Sequence, residues 1–251
     1  MQLQDILYSQ GFGIRRVCAG LIQQGWVEVW DPSLGIFTVV TDASCDVQPE
    51  GLKLRVQGVD WSYQAKGYVM LHKPAGTECS QKPSAWPSIY TLLPIPLRQR
   101  PNKGAIQGVQ AVGRLDQDTT GLLLLSDDGQ FIHRMSSPKK HVPKVYRVTT
   151  KHPITESMLQ KLRTGVVLDD DPKPVKAAAC EQIAPCELDL TLLEGKYHQV
   201  KRMLAAVGNR VEQLHRWKIG ALVLPEDLSP GQWKWLSEQD LLALGVSISG
   251  R

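Results

Sequence analysis

Val112-Gly113-Arg114-Leu115-Asp116-Gln117-Asp118-Thr119-Thr120-Gly121-Leu122-Leu123-Leu124-Leu125-Ser126-Asp127-Asp128-Gly129 sets an arginine and two carboxylates in a glycine-bounded loop, then runs into unbroken leucine. The run Leu122 to Leu125 is short and ends at the turn-forming Asp128-Gly129, the pattern of a fully buried strand. Neither Arg114 nor Asp116 enters a core cheaply without a partner. They belong at the mouth of the strand, on a loop held by a rigid element, where catalytic groups concentrate. Taken alone, the two residues fit a structural Arg–Asp pair equally well.

Outward from that strand, residues 64–251 read as one domain. Strand-like runs (Tyr68–Leu71, Val145–Thr149, Leu188–Leu192, Ala221–Leu224) alternate irregularly with helical ones (Gln130–Met135, Glu156–Arg163, His198–Val207, Glu238–Leu244). Irregular alternation favours an α+β fold with a mixed, largely antiparallel sheet over a doubly wound parallel one. Gly58 to Lys66 reads as a weakly structured connection, and the proline- and glycine-rich Leu92 to Gly108 as a mobile loop.

Residues 1–60 behave as a second, smaller α/β unit. Leu3, Ile6 and Leu7 recur at helical spacing up to Gly11 and Gly13. Val17, Leu21 and Ile22 repeat the period, with Arg15 and Arg16 in the first turn and Gly25 at the close. Trp26 to Trp30 then alternates as a strand. Two short helices, a strand and paired arginines resemble the S-four-type RNA-binding domain. The copy departs from that pattern at Asp31-Pro32-Ser33-Leu34-Gly35, where an Asn-Gly turn is usual, and at Gln2 and Gln4, often basic.

The 251 residues are 42% hydrophobic and 22% charged, ordinary for a globular protein. A net charge of +4 suits a polyanionic partner without demanding one. No apolar stretch reaches the length of a membrane span, and the start lacks the basic and apolar regions of a signal peptide. Five scattered cysteines without a Cys-x-x-Cys pair suggest free thiols in a reducing cytoplasm. A zinc site from His198 and His215 is rejected, because no acidic or thiol ligands stand at metal-like spacing.

The opening block is similar to the signature of the pseudouridine synthases, in the RsuA-like branch typified by the ribosomal small-subunit enzyme. Three further segments match in the expected order. Tyr68-Val69-Met70-Leu71-His72-Lys73-Pro74-Ala75-Gly76 resembles the strand and turn before the active site. Lys144-Val145-Tyr146-Arg147-Val148 resembles the Lys-x-Tyr strand. Glu194-Gly195-Lys196-Tyr197-His198-Gln199-Val200-Lys201-Arg202-Met203 resembles the third motif, which opens a helix. Gly165 to Leu168 followed by Lys173-Pro174-Val175 points to the small-subunit enzyme over its large-subunit cousins.

The resemblance implies isomerisation of uridine to pseudouridine in rRNA, with no cofactor and no metal. The N1–C1′ bond breaks, the uracil turns, and C5 joins C1′. Positive charge develops on the ribose, as in glycoside cleavage, and a carboxylate beside the sugar stabilises it or attacks. The resemblance makes Asp116 that carboxylate, and Arg202 its paired cation. Asp118, two residues on, is the rival for a two-carboxylate mechanism, and otherwise a loop residue bonding backbone N–H groups. Tyr146 offers a face for the flipped uracil. Arg114 either holds phosphate or fills the space left by the extruded nucleotide, the second favoured by family likeness. RNA contacts are expected from Arg15, Arg16, Lys73, Lys144, Lys196, His198 and Lys201, within a surface that includes Arg147, Arg216, Tyr197 and Trp217. His72 supports the turn. The implied partner is rRNA within a ribosomal assembly intermediate, met by a monomer. A large-subunit target, a silent rRNA-binding or ribosome-assembly protein, and a nucleosidase using Asp116 with Asp118 are the competing readings.

Overall fold

The computed structural model describes residues 1–102, 106–169 and 171–246. They divide into two compact units. One is built of Met1–Gly67, Leu93–Gln110 and Ser126–Asp128, the other of Tyr68–Leu92, Ala111–Leu125 and the chain from Gly129 onward.

In the first unit, helices Leu3–Gln10 and Arg15–Gln23 follow the expected periodicity. Leu3, Ile6, Leu7, Cys18 and Ile22 are fully buried with Val27 and Leu54. Gly11 ends the first helix at φ +92°, where an added Cβ would lie 2.1 Å from the carbonyl oxygen of Pro96. Only glycine tolerates both constraints. The antiparallel sheet runs Ile36–Val39, Val27–Asp31, Lys53–Val56, Val59–Ser62. The connection expected at Gly58–Lys66 therefore contains a strand. Its apolar positions are too few to signal one, and pairing with Lys53–Val56 supplies the order. Leu92–Gly108 is likewise not simply a loop. It holds helix Ile95–Gln99, buries Leu97, and inserts the guanidinium of Arg100, 2% exposed; residues 103–105 lie outside the described residues. Arg100 Nε donates to Asp127 at 2.5 Å, Nη1 to Gln10 Oε1 at 3.1 Å, and Nη2 to the Gln64 carbonyl at 2.8 Å. A buried arginine persists because its donors are matched by a carboxylate and neutral acceptors.

The second unit is an α+β fold around a mixed, largely antiparallel sheet. Its path runs Ala179–Ala184, Glu187–Leu192, Lys144–Thr150, Val211–Ile219, Thr120–Ser126, Tyr68–Lys73, Trp233–Trp235. Val211–Ile219 pairs antiparallel with Lys144–Thr150 but parallel with Thr120–Ser126. Helices Gly129–Ser136 and Glu238–Ala243 supply Phe131, Met135 and Leu241 to a core completed by Met70, Leu122 and Leu124. Val211–Ile219 lies at the centre of the sheet yet carries Glu212, Gln213, His215, Arg216 and Lys218, so no alternating apolar pattern announces it. Of the expected Ala221–Leu224 strand, only Leu222–Val223 forms. Gly121, at φ +109°, lets the parallel strand approach: a Cβ there would lie 2.2 Å from the carbonyl oxygen of Arg216. No helix among the described residues is long and apolar enough to cross a membrane.

Candidate active site

The loop preceding Thr120–Ser126 is held by its backbone, which leaves its carboxylates to face outward. Lys73, at the end of strand Tyr68–Lys73, is fully buried and donates from Nζ to the carbonyls of Pro74 (3.1 Å), Gln117 (3.2 Å) and Thr119 (2.9 Å). Gly76 N donates to Gln117 O at 2.8 Å, and Thr119 N to Asp116 O at 3.1 Å. Burial pulls the Lys73 amine below its ordinary pKa, against Cys79, Asp118 and Asp116, which favour its charge. The expectation that Lys73 meets RNA is therefore corrected. A fully enclosed ammonium bound to three carbonyls has no donor left for phosphate, and it fixes the loop instead.

Gln199 shapes the opposite wall. Nearly buried, it accepts from the Lys196 backbone N–H at 2.8 Å through Oε1, and donates through Nε2 to Glu194 at 3.0 Å. This folds Glu194–His198 into a tight turn and places His198 in the left-handed region, φ +48°, at the N-terminus of helix Gln199–Ala206. His198 Nε2 then stands 3.4 Å from Asp116 Oδ1, with the Tyr197 ring stacked on the imidazole at 3.8 Å. One turn into the helix, Lys201 Nζ lies 3.5 Å from Asp116 and 2.7 and 2.8 Å from the two oxygens of Asp118.

Lys201, not Arg202, is the helix residue that reaches Asp116. Arg202 Nη1 donates to the Tyr197 carbonyl at 3.1 Å. The helical offset predicts His198 and Arg202 on one face with Lys201 turned to phosphate; His198 instead stands outside the helix in the left-handed region, so the offset does not apply to it, and Lys201 takes the place beside Asp116. Asp118 also differs from expectation, pairing with Lys201 rather than with the loop backbone alone. Burial, the largest influence on Asp118, opposes its ionisation, but the hydrogen bond and charge of Lys201 outweigh it and the pKa falls.

The floor of the site is aromatic and cationic. Tyr146, 8% exposed, lines the same pocket as Arg114, Asp116, His198 and Lys201. Beneath it, Arg216 is 2% exposed, donating from Nε to Leu122 O at 2.9 Å and from Nη1 to the Tyr146 hydroxyl at 3.5 Å. Arg216 thus leaves the expected RNA-facing surface for the interior. Lys144 is half-buried, with Nζ donating to Val142 O at 3.1 Å; burial, then the charge of Arg216, brings its pKa down to about 8. Arg114 is exposed at the pocket mouth, and Lys196 is half-buried on the turn. Arg147 is engaged by Asp189 through two hydrogen bonds of 2.6 and 3.0 Å. His72 Nδ1 lies 2.7 Å from the Leu228 carbonyl, and His215 Nδ1 2.8 Å from Thr120 Oγ1; burial, His72 and Arg147 lower the His215 pKa. In the first unit, Arg15 is tied to Asp5 at 2.6 Å and lies over the Tyr8 ring, whereas Arg16 is exposed.

Such a site sets one carboxylate between an imidazole and an ammonium, over an aromatic floor, with the neighbouring Asp118 carboxylate committed to Lys201. Residues 67–206 match the family model described as RNA pseudouridylate synthase. The chain is 43% identical over 178 residues to "Ribosomal small subunit pseudouridine synthase A" of Salmonella typhimurium, covering 71% of this chain and 74% of that one. It is 41% identical over 177 residues to the protein of the same name from Escherichia coli (strain K12), covering 70% and 73%. A solved structure, "Crystal structure of pseudouridylate synthase", superposes with a TM-score of 0.65 at 34% identity, over 97% of this chain and 99% of that one. By sequence and by fold, this chain belongs to the RNA pseudouridylate synthases.

Proposed function

We propose that this protein isomerises a specific uridine of small-subunit rRNA to pseudouridine, with Asp116 as the catalytic carboxylate. The observation that carries the reading is the placement of Asp116 between His198 and Lys201, at 3.4 and 3.5 Å, in the pocket lined by Tyr146. As N1–C1′ breaks, positive charge grows on the ribose, and a carboxylate already oriented by the His198 imidazole and the Lys201 ammonium stabilises it without reorganising. The Tyr146 ring holds the displaced uracil while it turns; C5 then joins C1′, the C5 proton leaves, and N1 gains a proton. Arg114, exposed at the mouth, occupies the space from which the nucleotide is extruded.

The small-subunit target is supported by the relatives' printed names and the extent of chain they cover. The N-terminal unit serves as the S-four-type RNA-binding domain, a reading supported by its two helices, following strand and exposed Arg16. The rRNA is met in the cytoplasm, before subunit assembly closes around the target. We read the protein as acting as a monomer. The test is a pseudouridine map of both rRNAs from cells lacking the protein, restored with wild type or Asp116→Asn. Loss of one small-subunit site, recovered only by wild type, supports the reading. A lost site in large-subunit rRNA redirects the target, and recovery by Asp116→Asn removes Asp116 from the chemistry.

A further inference from the structure

Between Glu78 and Ser88 the chain makes a compact excursion that the mechanism above does not use. Its ends are pinned: Glu78 N donates to Pro87 O at 2.9 Å, Ile89 N to Glu78 O at 2.9 Å, and Ser88 Oγ to Ser80 O at 2.6 Å. Its interior is organised by one carboxylate. Glu78 accepts the backbone N–H groups of Ser84 (3.0 Å), Ala85 (2.9 Å) and Trp86 (3.0 Å), besides the Ser84 hydroxyl. Those three N–H groups hold the Glu78 carboxyl well below the usual range, at about 2. A loop closed at its base and packed on its own groups is commonly functional.

The excursion presents Trp86, 46% exposed. The ring lies over Gly76, where an added Cβ would stand 3.6 and 3.7 Å from two ring carbons, and Gly76 N is bound to the Gln117 carbonyl beside Asp116. Along the excursion Ser80, Gln81, Lys82, Ser84 and Ser88 are polar, and Ala85 and the two prolines offer little apolar surface. With Glu78 occupied by the backbone, Lys82 is the one charged residue from 79 to 88. A single exposed ring on a loop with one lysine is poor for a protein interface, which needs a contiguous apolar patch. It suits a nucleobase with its phosphate nearby.

We propose that Trp86 is a stacking surface for an unpaired RNA base neighbouring the target uridine, and that Glu78 is the positioning residue that holds it there. The inference rests on the RNA-modifying reading above and adds a substrate contact outside the Asp116 pocket. The probe is an unmodified small-subunit rRNA transcript. Isomerisation is followed by tritium release from 5-tritiated uridine, and binding by anisotropy of the labelled transcript at fixed salt. Trp86→Ala raises KM and Kd about tenfold or more, the scale of one lost base–aromatic stack, with kcat at saturating RNA within about twofold. Trp86→Phe retains most of the affinity. Glu78→Gln, which turns an amide N–H toward backbone N–H donors, moves KM in the same direction as Trp86→Ala. Unchanged Kd in Trp86→Ala overturns the proposal. So does a fall in kcat at constant KM, which would make Trp86 a prop for the Asp116 loop. Wild-type protein that binds the transcript but releases no tritium from it, whether bare or assembled with small-subunit proteins, refutes the isomerase reading instead, and the binding comparison then judges Trp86 by itself.

Discussion

Gly121→Ala tests whether the close parallel approach of Val211–Ile219 to Thr120–Ser126 builds the site. Two costs add. At φ +109° an L side chain is strained by about 1–3 kcal/mol. The new methyl would also stand 2.2 Å from Arg216 O and 2.8 Å from Arg216 C and N, all backbone atoms that no rotamer change can move. Relief requires the strands to part by about 1 Å, with packing losses comparable to core overpacking, about 1–3 kcal/mol. The expected destabilisation is about 2–6 kcal/mol, a large share of the roughly 5–15 kcal/mol that holds a domain folded. Urea unfolding reads it as a lower midpoint at unchanged slope. Any folded fraction should also isomerise uridine poorly, because the displaced backbone carries Arg216 from beneath Tyr146. Gly129→Ala is the control: its added Cβ meets nothing within 4 Å, and in a helix the change should hold stability or raise it by up to about 1 kcal/mol. A Gly121→Ala protein within about 1 kcal/mol of wild type would refute the close-approach argument.

Lys201→Met should lower kcat about 10- to 100-fold by removing a charge 3.5 Å from Asp116, while Arg202→Met changes it several-fold less; single-turnover rates with saturating RNA rank the two, and the reverse order would restore Arg202 as the partner. Asp116→Asn should cost more than about 10³-fold in the same assay with the fold intact, and Asp118→Asn far less; equal losses would favour a two-carboxylate mechanism. Arg100→Met should destabilise the protein by about 3–5 kcal/mol in urea unfolding, because it strands the Asp127 carboxylate, 11% exposed, without its cation; a neutral result would show that water replaces the guanidinium. Lys144, with its pKa brought down from 10.5 to about 8, is a charge the fold disfavours. That penalty is full below pH 8 and fades as pH rises toward 10.5, so Lys144→Met should gain most over wild type near pH 7 and lose most of that advantage by pH 10; a pH-independent difference would sink this account.

The sequence by itself determined the elements whose pattern is local. Four leucines between Gly121 and Ser126, bounded by turn signals, read as a strand buried on both faces, and residues 121–126 are all buried in it. Leu3, Ile6 and Leu7, stopped by Gly11, determined the first helix, and the charged loop before the leucine run had to lie at a surface. What only the tertiary structure decided is which polar groups go inside and which neighbour wins on a helix. Lys73 is buried because carbonyls 44 and 46 residues away converge on its amine, information that no window around Lys73 contains. Val211–Ile219 becomes a central strand because flanking strands pair with its backbone and Tyr146 and Leu122 receive Arg216, not because its own side chains alternate. Lys201 and Arg202 differ by one step of helix rotation, about 100°. The left-handed His198 and the buried Gln199 set that rotation, and with it the cation that faces Asp116.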